Sequence, residues 1–84
     1  MKKIAIFASG NGSNAESIIK YFKKSNTIKI KMVACNNPNA KVLNIAQTYG
    51  VSTLVFSRKE LNNGDIIKIL KSKNIFLIVL AGFL

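Results

Sequence analysis

The order of hydrophobic patterns along this chain leaves few folds open. Four short apolar runs alternate with three stretches whose apolar residues recur at helical spacing. Ile4-Ala5-Ile6-Phe7 opens the chain as a strand over residues 4–8, and Ala15, Ile18, Ile19 and Phe22 then fall at i, i+3, i+4 and i+7. That spacing predicts one buried face on a helix from about residue 14 to 24. In the run Ile28–Cys35, Ile28, Ile30 and Met32 alternate with Lys29 and Lys31 before Val33-Ala34-Cys35, a strand half exposed at its opening and buried at its end. Asn36-Asn37-Pro38-Asn39 is turn chemistry. A second helix carries Val42, Ile45, Ala46 and Tyr49 on one face, with Gly50 placed to stop it. Residues 51–56 read as a third strand, Leu61-Asn62-Asn63-Gly64 as a break, and Ile66, Ile69 and Leu70 as the face of a third helix. The last run, Ile75-Phe76-Leu77-Ile78-Val79-Leu80, is continuously apolar, the pattern of a strand covered on both faces.

A βαβαβαβ order calls for α/β architecture: a doubly wound, Rossmann-like parallel sheet joined by right-handed crossovers. With the first strand central and the fourth on its other side, the predicted strand order is 3-2-1-4, and ligands sit beyond the carboxyl ends of strands one and four. Residues 10–14 and 81–84 lie at those two ends. Nothing in residues 81–84 covers the far edge of the fourth strand, and a bare hydrophobic edge is a pairing hazard. The expectation is therefore one domain whose remainder is absent, the front part of a longer polypeptide.

Ser9-Gly10-Asn11-Gly12-Ser13-Asn14 joins the first strand to the first helix. Strand, glycine turn and helix start together aim backbone N–H groups and the positive end of a helix dipole at one spot, which suits an anion and most often a phosphate. Gly10-x-Gly12-x-x-Ala15 also satisfies the loose dinucleotide fingerprint. That reading needs an acidic residue at the end of the second strand for the ribose hydroxyls, where the chain has Ala34-Cys35-Asn36-Asn37. No Gly-Lys-Ser/Thr ends the loop, so it is not a Walker A motif. A terminal monophosphate held by Ser13, Asn14 and backbone amides fits better. The alternatives are a non-catalytic phosphate- or dinucleotide-binding module, and a glycine turn before a helix merely capped by Ser13 or Asn14.

Composition narrows the partners. Thirteen basic residues against three acidic ones give a formal charge of +10. The lysines are scattered rather than massed, which reads as a solvated surface and not as a nucleic-acid patch. No apolar run approaches the ~20 residues of a membrane helix, and the N-terminal run is too short for a secretory segment. With one cysteine and no histidine, neither an internal disulfide nor a metal site is expected, and a cytoplasmic location follows. Cys35 reads as a small buried hydrophobe, and Glu16, Glu60 and Asp65 as capping or surface acids.

Ser9-Gly10-Asn11-Gly12-Ser13-Asn14 after the first strand, with Leu80-Ala81-Gly82-Phe83 ending the fourth, resembles the phosphoribosylglycinamide formyltransferase (glycinamide ribonucleotide transformylase) family of purine synthesis. The resemblance covers the whole chain but only the N-terminal portion of the family's domain. It implies transfer of a formyl group from 10-formyltetrahydrofolate, a cosubstrate rather than a bound cofactor, to the amine of glycinamide ribonucleotide. It also implies that Gly12, Ser13 and Asn14, supported by Gly10 and Asn11, bind the substrate phosphate. The segment after Leu-Ala-Gly-Phe contacts the pterin in the family, which points to Leu84, although the family has Met there. A basic residue after the third strand matches Lys59, beside Arg58, with a solvated loop as the plainer reading of both. The family's catalytic Asn, His and Asp all fall downstream of Leu84, so residues 1–84 alone are expected to be inactive. Partners are the two small molecules, with neither nucleic acid nor membrane, and the oligomeric state stays open.

Overall fold

The computed structural model describes residues 2–8 and 12–81, less the side chains of residues 58 and 61. Its center is the strand β1 (Lys2–Ala8), whose Ile4, Ala5, Ile6, Phe7 and Ala8 are all buried. Neighbors on both sides cause that burial. β2 (Ile28–Cys35) pairs with one edge of β1 and β4 (Ile75–Ala81) with the other, both parallel. β3 (Ser52–Val55) adds to β2, so the sheet runs β3-β2-β1-β4. This is the predicted 3-2-1-4 arrangement.

Alternation on β1 divides the core into two layers. Ile4, Ile6 and Ala8 face one side with Val33 and Cys35, under α1 (Ser13–Phe22) and α2 (Lys41–Thr48). Ala5 and Phe7 face the other side with Met32, Phe56, Ile66 and Leu70. Phe7 and Phe56 meet there with ring centroids 5.5 Å apart. Full burial of a side chain such as Ile6 contributes about 1.5–3 kcal/mol, so the central strand anchors both layers. Gly50, in the left-handed region at φ 71°, stops α2. The Gly50 N–H donates to Gln47 C=O and the Val51 N–H to Ala46 C=O, the paired bonds of a Schellman ending.

Two sequence expectations need correction. The segment after β3 holds two helices, not one: α3 (Arg58–Asn62) precedes α4 (Asp65–Ser72). A capping box creates α3. The Glu60 N–H donates to Ser57 Oγ at 3.1 Å, and the Ser57 N–H donates to the Glu60 carboxylate at 2.9 Å.

The second correction concerns β4, whose apolar run predicted cover on both faces. Phe76, Leu77, Ile78 and Leu80 are instead 62, 50, 41 and 65% exposed. β4 is an edge strand, no strand pairs with its far side among the described residues, and α1 packs over β2 and α2 over β2 and β3, while α4 lies against β4.

Candidate anion site at the carboxyl end of β1

Every strand in a parallel sheet ends at the same side, so the loop after the central strand lies between two neighbors. β1 ends at Ala8, and Gly12 begins α1 as its N-cap residue with φ 78° and ψ 15°. The left-handed conformation strains any residue with a Cβ. Space forbids one as well. A Cβ on Gly12 would lie 2.7 Å from Val42 Cβ and Cγ2 and 2.8 Å from Val42 Cα. Glycine here lets the start of α1 touch the first turn of α2. Two helix N-termini therefore meet beside the end of β1, and both direct positive dipole ends there.

Gly12 brings no side chain to cap α1. The first intrahelical bond runs from the Glu16 N–H to the Gly12 C=O at 2.8 Å. Ser13 and Asn14 occupy the exposed first turn, while Gly12 beneath them is buried. The capping reading for Ser13 and Asn14 thus does not hold, because both lie inside the helix. What stands at this end is a helix start that lends backbone amide polarity and two short polar side chains to a solvent-facing spot.

The remaining candidates divide. Gly10, Asn11 and Leu84 lie outside the described residues. Lys59 is exposed, and it sits on α3 rather than in the loop expected from the sequence. α3 follows β3, so Lys59 shares the carboxyl side of the sheet with Gly12 but stands two strand positions away from β1. At the end of β2 the Asn37–Asn39 turn closes on itself. The Asn39 N–H donates to Asn37 Oδ1 at 2.9 Å, and the Asn37 N–H to the buried Cys35 Sγ at 3.5 Å. No carboxylate stands there to hold a dinucleotide ribose.

The acids take local structural roles. Glu60 completes the capping box, Asp65 lies in the first turn of α4, and Glu16 accepts a hydrogen bond from Tyr49 Oη at 3.2 Å. Sequence reading missed that last pair, since nothing local links positions 33 residues apart. It also missed the Ser57–Glu60 box, although the S-x-x-E signature is plain in Ser57-Arg58-Lys59-Glu60. Among the described residues no three His, Cys, Asp or Glu side chains converge on a metal position. No helix among them is long and apolar enough to cross a membrane. A groove of about 350 Å³ does exist, floored by Ile19, Phe22, Ile30 and Val51 with Lys23 and Lys29 beside it. It lies at the amino ends of β2 and β3, away from Gly12.

Comparison with known proteins follows the same lines. The sequence pattern of the formyl transferase family matches residues 2–84. Phosphoribosylglycinamide formyltransferase of Bacillus subtilis is 37% identical over 90 aligned residues, which take in all of this chain and 46% of that protein. The structure of phosphoribosylglycinamide formyltransferase from Anaplasma phagocytophilum superposes with a TM-score of 0.88 at 37% identity, covering 99% of this chain and 40% of that one. Its counterpart from Brucella melitensis gives 0.90 at 30% identity, with 99% and 46% covered. The chain thus spans about half the length of these relatives.

Proposed function

This chain belongs to the formyl transferase family, and from that premise we propose that it serves formyl transfer from 10-formyltetrahydrofolate to the amine of glycinamide ribonucleotide, a step of de novo purine synthesis leading to IMP. Its own contribution is to hold the ribonucleotide's phosphate. The observation carrying this reading is Gly12, buried and left-handed against Val42 at the carboxyl end of the central strand. An anion above it meets the amino end of α1, with Ser13 and Asn14 exposed beside it. Gly10 and Asn11 belong to the same loop by the sequence motif. The 37% identity to the Bacillus subtilis enzyme supports the choice of ribonucleotide. The self-closed turn after β2 argues against a dinucleotide.

In this reaction the amine nitrogen attacks the formyl carbon, an oxyanion forms and collapses, and the bond to the folate nitrogen breaks as the amine loses its proton. The chemistry needs a group to move that proton and donors to stabilize the oxyanion. Glu16, Glu60 and Asp65 are committed elsewhere, and none ends a strand. The catalytic groups therefore come from the other half of the family domain, and residues 1–84 alone are inactive. A phosphate fixed at Gly12–Asn14 anchors the ribonucleotide away from the reacting amine. That grip converts remote binding energy into orientation of the amine. On the folate side, Lys59 offers an exposed cation to the cosubstrate's carboxylates, and Leu84 offers backbone to its pterin.

The test is a fusion of this chain to the segment of the Bacillus subtilis relative that lies beyond the aligned region. The expected result is formyl transfer to glycinamide ribonucleotide. In the same fusion Asn14→Ala should raise the KM for the ribonucleotide about tenfold, one lost charge-assisted hydrogen bond, with the KM for folate unchanged. A folded fusion without turnover, or one that binds NAD and ignores the ribonucleotide, overturns the reading.

A further inference from the structure

The groove at the amino ends of β2 and β3 arises from unequal strand lengths. β3 enters the sheet at Ser52, opposite Met32, so residues 28–31 of β2 have no strand beside them on that side. α1 and α2 end at this gap, with Phe22 and Lys23 from one and Tyr49 from the other among its lining residues. The space of about 350 Å³ lies at the small end of the range for small-molecule sites. Hydrogen bonds fix its walls. Ser25 Oγ accepts from the Thr27 and Ile28 N–H groups at 3.2 and 3.1 Å, which sets the turn from α1 into β2. Tyr49 is held through its hydroxyl by Glu16, and the Val51 N–H donates to Ala46 C=O at 2.8 Å. The groove is therefore preformed, which spares a ligand the cost of ordering it.

Two features select the ligand. The floor of Ile19, Phe22, Ile30 and Val51 offers no polar side chain, so the part of a ligand it covers is apolar. The Phe22 and Tyr49 rings suit an aromatic body there. The second feature is charge. Lys23 Nζ stands 5.8 Å from the centroid of the Tyr49 ring, a cation at the mouth of an apolar bed. None of the chain's three acids lines the groove. Parallel winding also returns helix ends to the amino ends of the strands. Lys24 after α1, Lys73 after α4 and Lys2 at the start of β1 thus share this side of the sheet, all exposed. Lysines scattered in the sequence are gathered by the topology into a field that draws anions.

We propose that this groove binds a small organic anion of the aryl carboxylate class, its ring on the apolar floor and its carboxylate beside Lys23. The proposal is independent of the phosphate reading, since the groove shares no residue with the loop after β1. The test follows amide chemical shifts of the chain by NMR during titration with naphthoate, with its neutral analog naphthalenemethanol, and with acetate. Naphthoate should saturate one site with a Kd below about 1 mM, moving amides of residues 22–30 and 49–51. The neutral alcohol should bind at least about tenfold more weakly, and acetate should move nothing there. Lys23→Gln should weaken naphthoate about threefold and Lys23→Glu at least about tenfold. Lys71→Gln, on α4 at the other face of the sheet, should leave it unchanged. The spectrum of each variant reports in the same experiment that it is folded. Equal affinity for naphthoate and the alcohol overturns the proposal, as does indifference to Lys23→Glu. Shifts centered on the exposed Phe76–Leu80 surface overturn it too, as does tight binding of a single-stranded oligonucleotide with none of naphthoate.

Discussion

Gly12→Ala isolates the contact on which the site is built. Two costs arise, and they can be separated. A Cβ in the left-handed region costs about 1–2 kcal/mol, partly offset by about 0.4–1 kcal/mol because alanine restricts the unfolded chain. The second cost is steric. The new methyl would meet Val42 Cα at 2.8 Å and Cβ and Cγ2 at 2.7 Å, against an ordinary carbon–carbon separation of about 3.5–4.0 Å. Rotating the Val42 side chain relieves one of those contacts only, because Cα is backbone. α2 must therefore move by about 1 Å, and overpacking of this kind costs about 1–3 kcal/mol. The sum is about 2–4 kcal/mol, a large part of the roughly 4–13 kcal/mol expected for a chain of this length. Gly50 is the control: it also has positive φ, at 71°, but nothing lies within 4 Å of a Cβ placed there. Gly50→Ala should cost about 1 kcal/mol, conformational strain without collision. In thermal unfolding, at about 4–8 °C per kcal/mol for a small domain, Gly12→Ala should fall well below Gly50→Ala. Urea unfolding at constant m should give the same order. Equal midpoints for the two variants would refute the close approach of α1 and α2.

The capping box gives a second expectation: Ser57→Ala should lower stability by about 1 kcal/mol in urea unfolding, with faster amide exchange confined to α3 and its entry. Tyr49→Phe removes the donor to Glu16 from a half-buried pair and should cost about 0.5–1.5 kcal/mol, with Glu16→Gln costing less, since an amide oxygen still accepts the bond. In the covalent fusion, Lys59→Ala should raise the KM for the folate cosubstrate several-fold and leave that for the ribonucleotide unchanged, while changing the unfolding free energy by less than about 0.5 kcal/mol. Equal changes in both KM values would separate Lys59 from the folate.

Much of the fold was legible because its signals are local and agree with one another. Ile28–Cys35 reads as a strand from alternation alone, and Gly50 ends α2 because only its left-handed φ completes the bonds to Gln47 and Ala46. With the first strand central and the fourth on its other side, the doubly wound pattern gives the 3-2-1-4 order that the sheet shows. Hydrophobic periodicity does not predict α3, because residues 58–62 carry no apolar stripe. Its stability comes from Ser57 and Glu60 satisfying each other's backbone, a polar signal that hydrophobic periodicity does not weigh. Tyr49 reads as the end of a helical face, which is correct, but its hydroxyl finds Glu16 only after two helices have packed.

The same distinction explains the site. The glycine turn, the helix start and the absence of an acid after β2 are all written in consecutive residues, so the anion reading was available before any geometry. The reason for glycine at position 12 was not. Conformation alone would permit asparagine in the left-handed region at modest cost, and the sequence offers no hint that Val42 stands 2.7 Å from where a Cβ would go. That contact ties Gly12 at the start of α1 to the first turn of α2, so the need for glycine depends on how the two helices pack. β4 shows the converse. Its apolar run is the pattern of a strand covered on both faces, yet hydrophobicity records what a strand is able to bury, not what lies beside it. Leu77 and Leu80 are exposed because β4, among the described residues, pairs on one side only. The run suits a two-faced interior, and among the described residues it stands at the edge of the sheet.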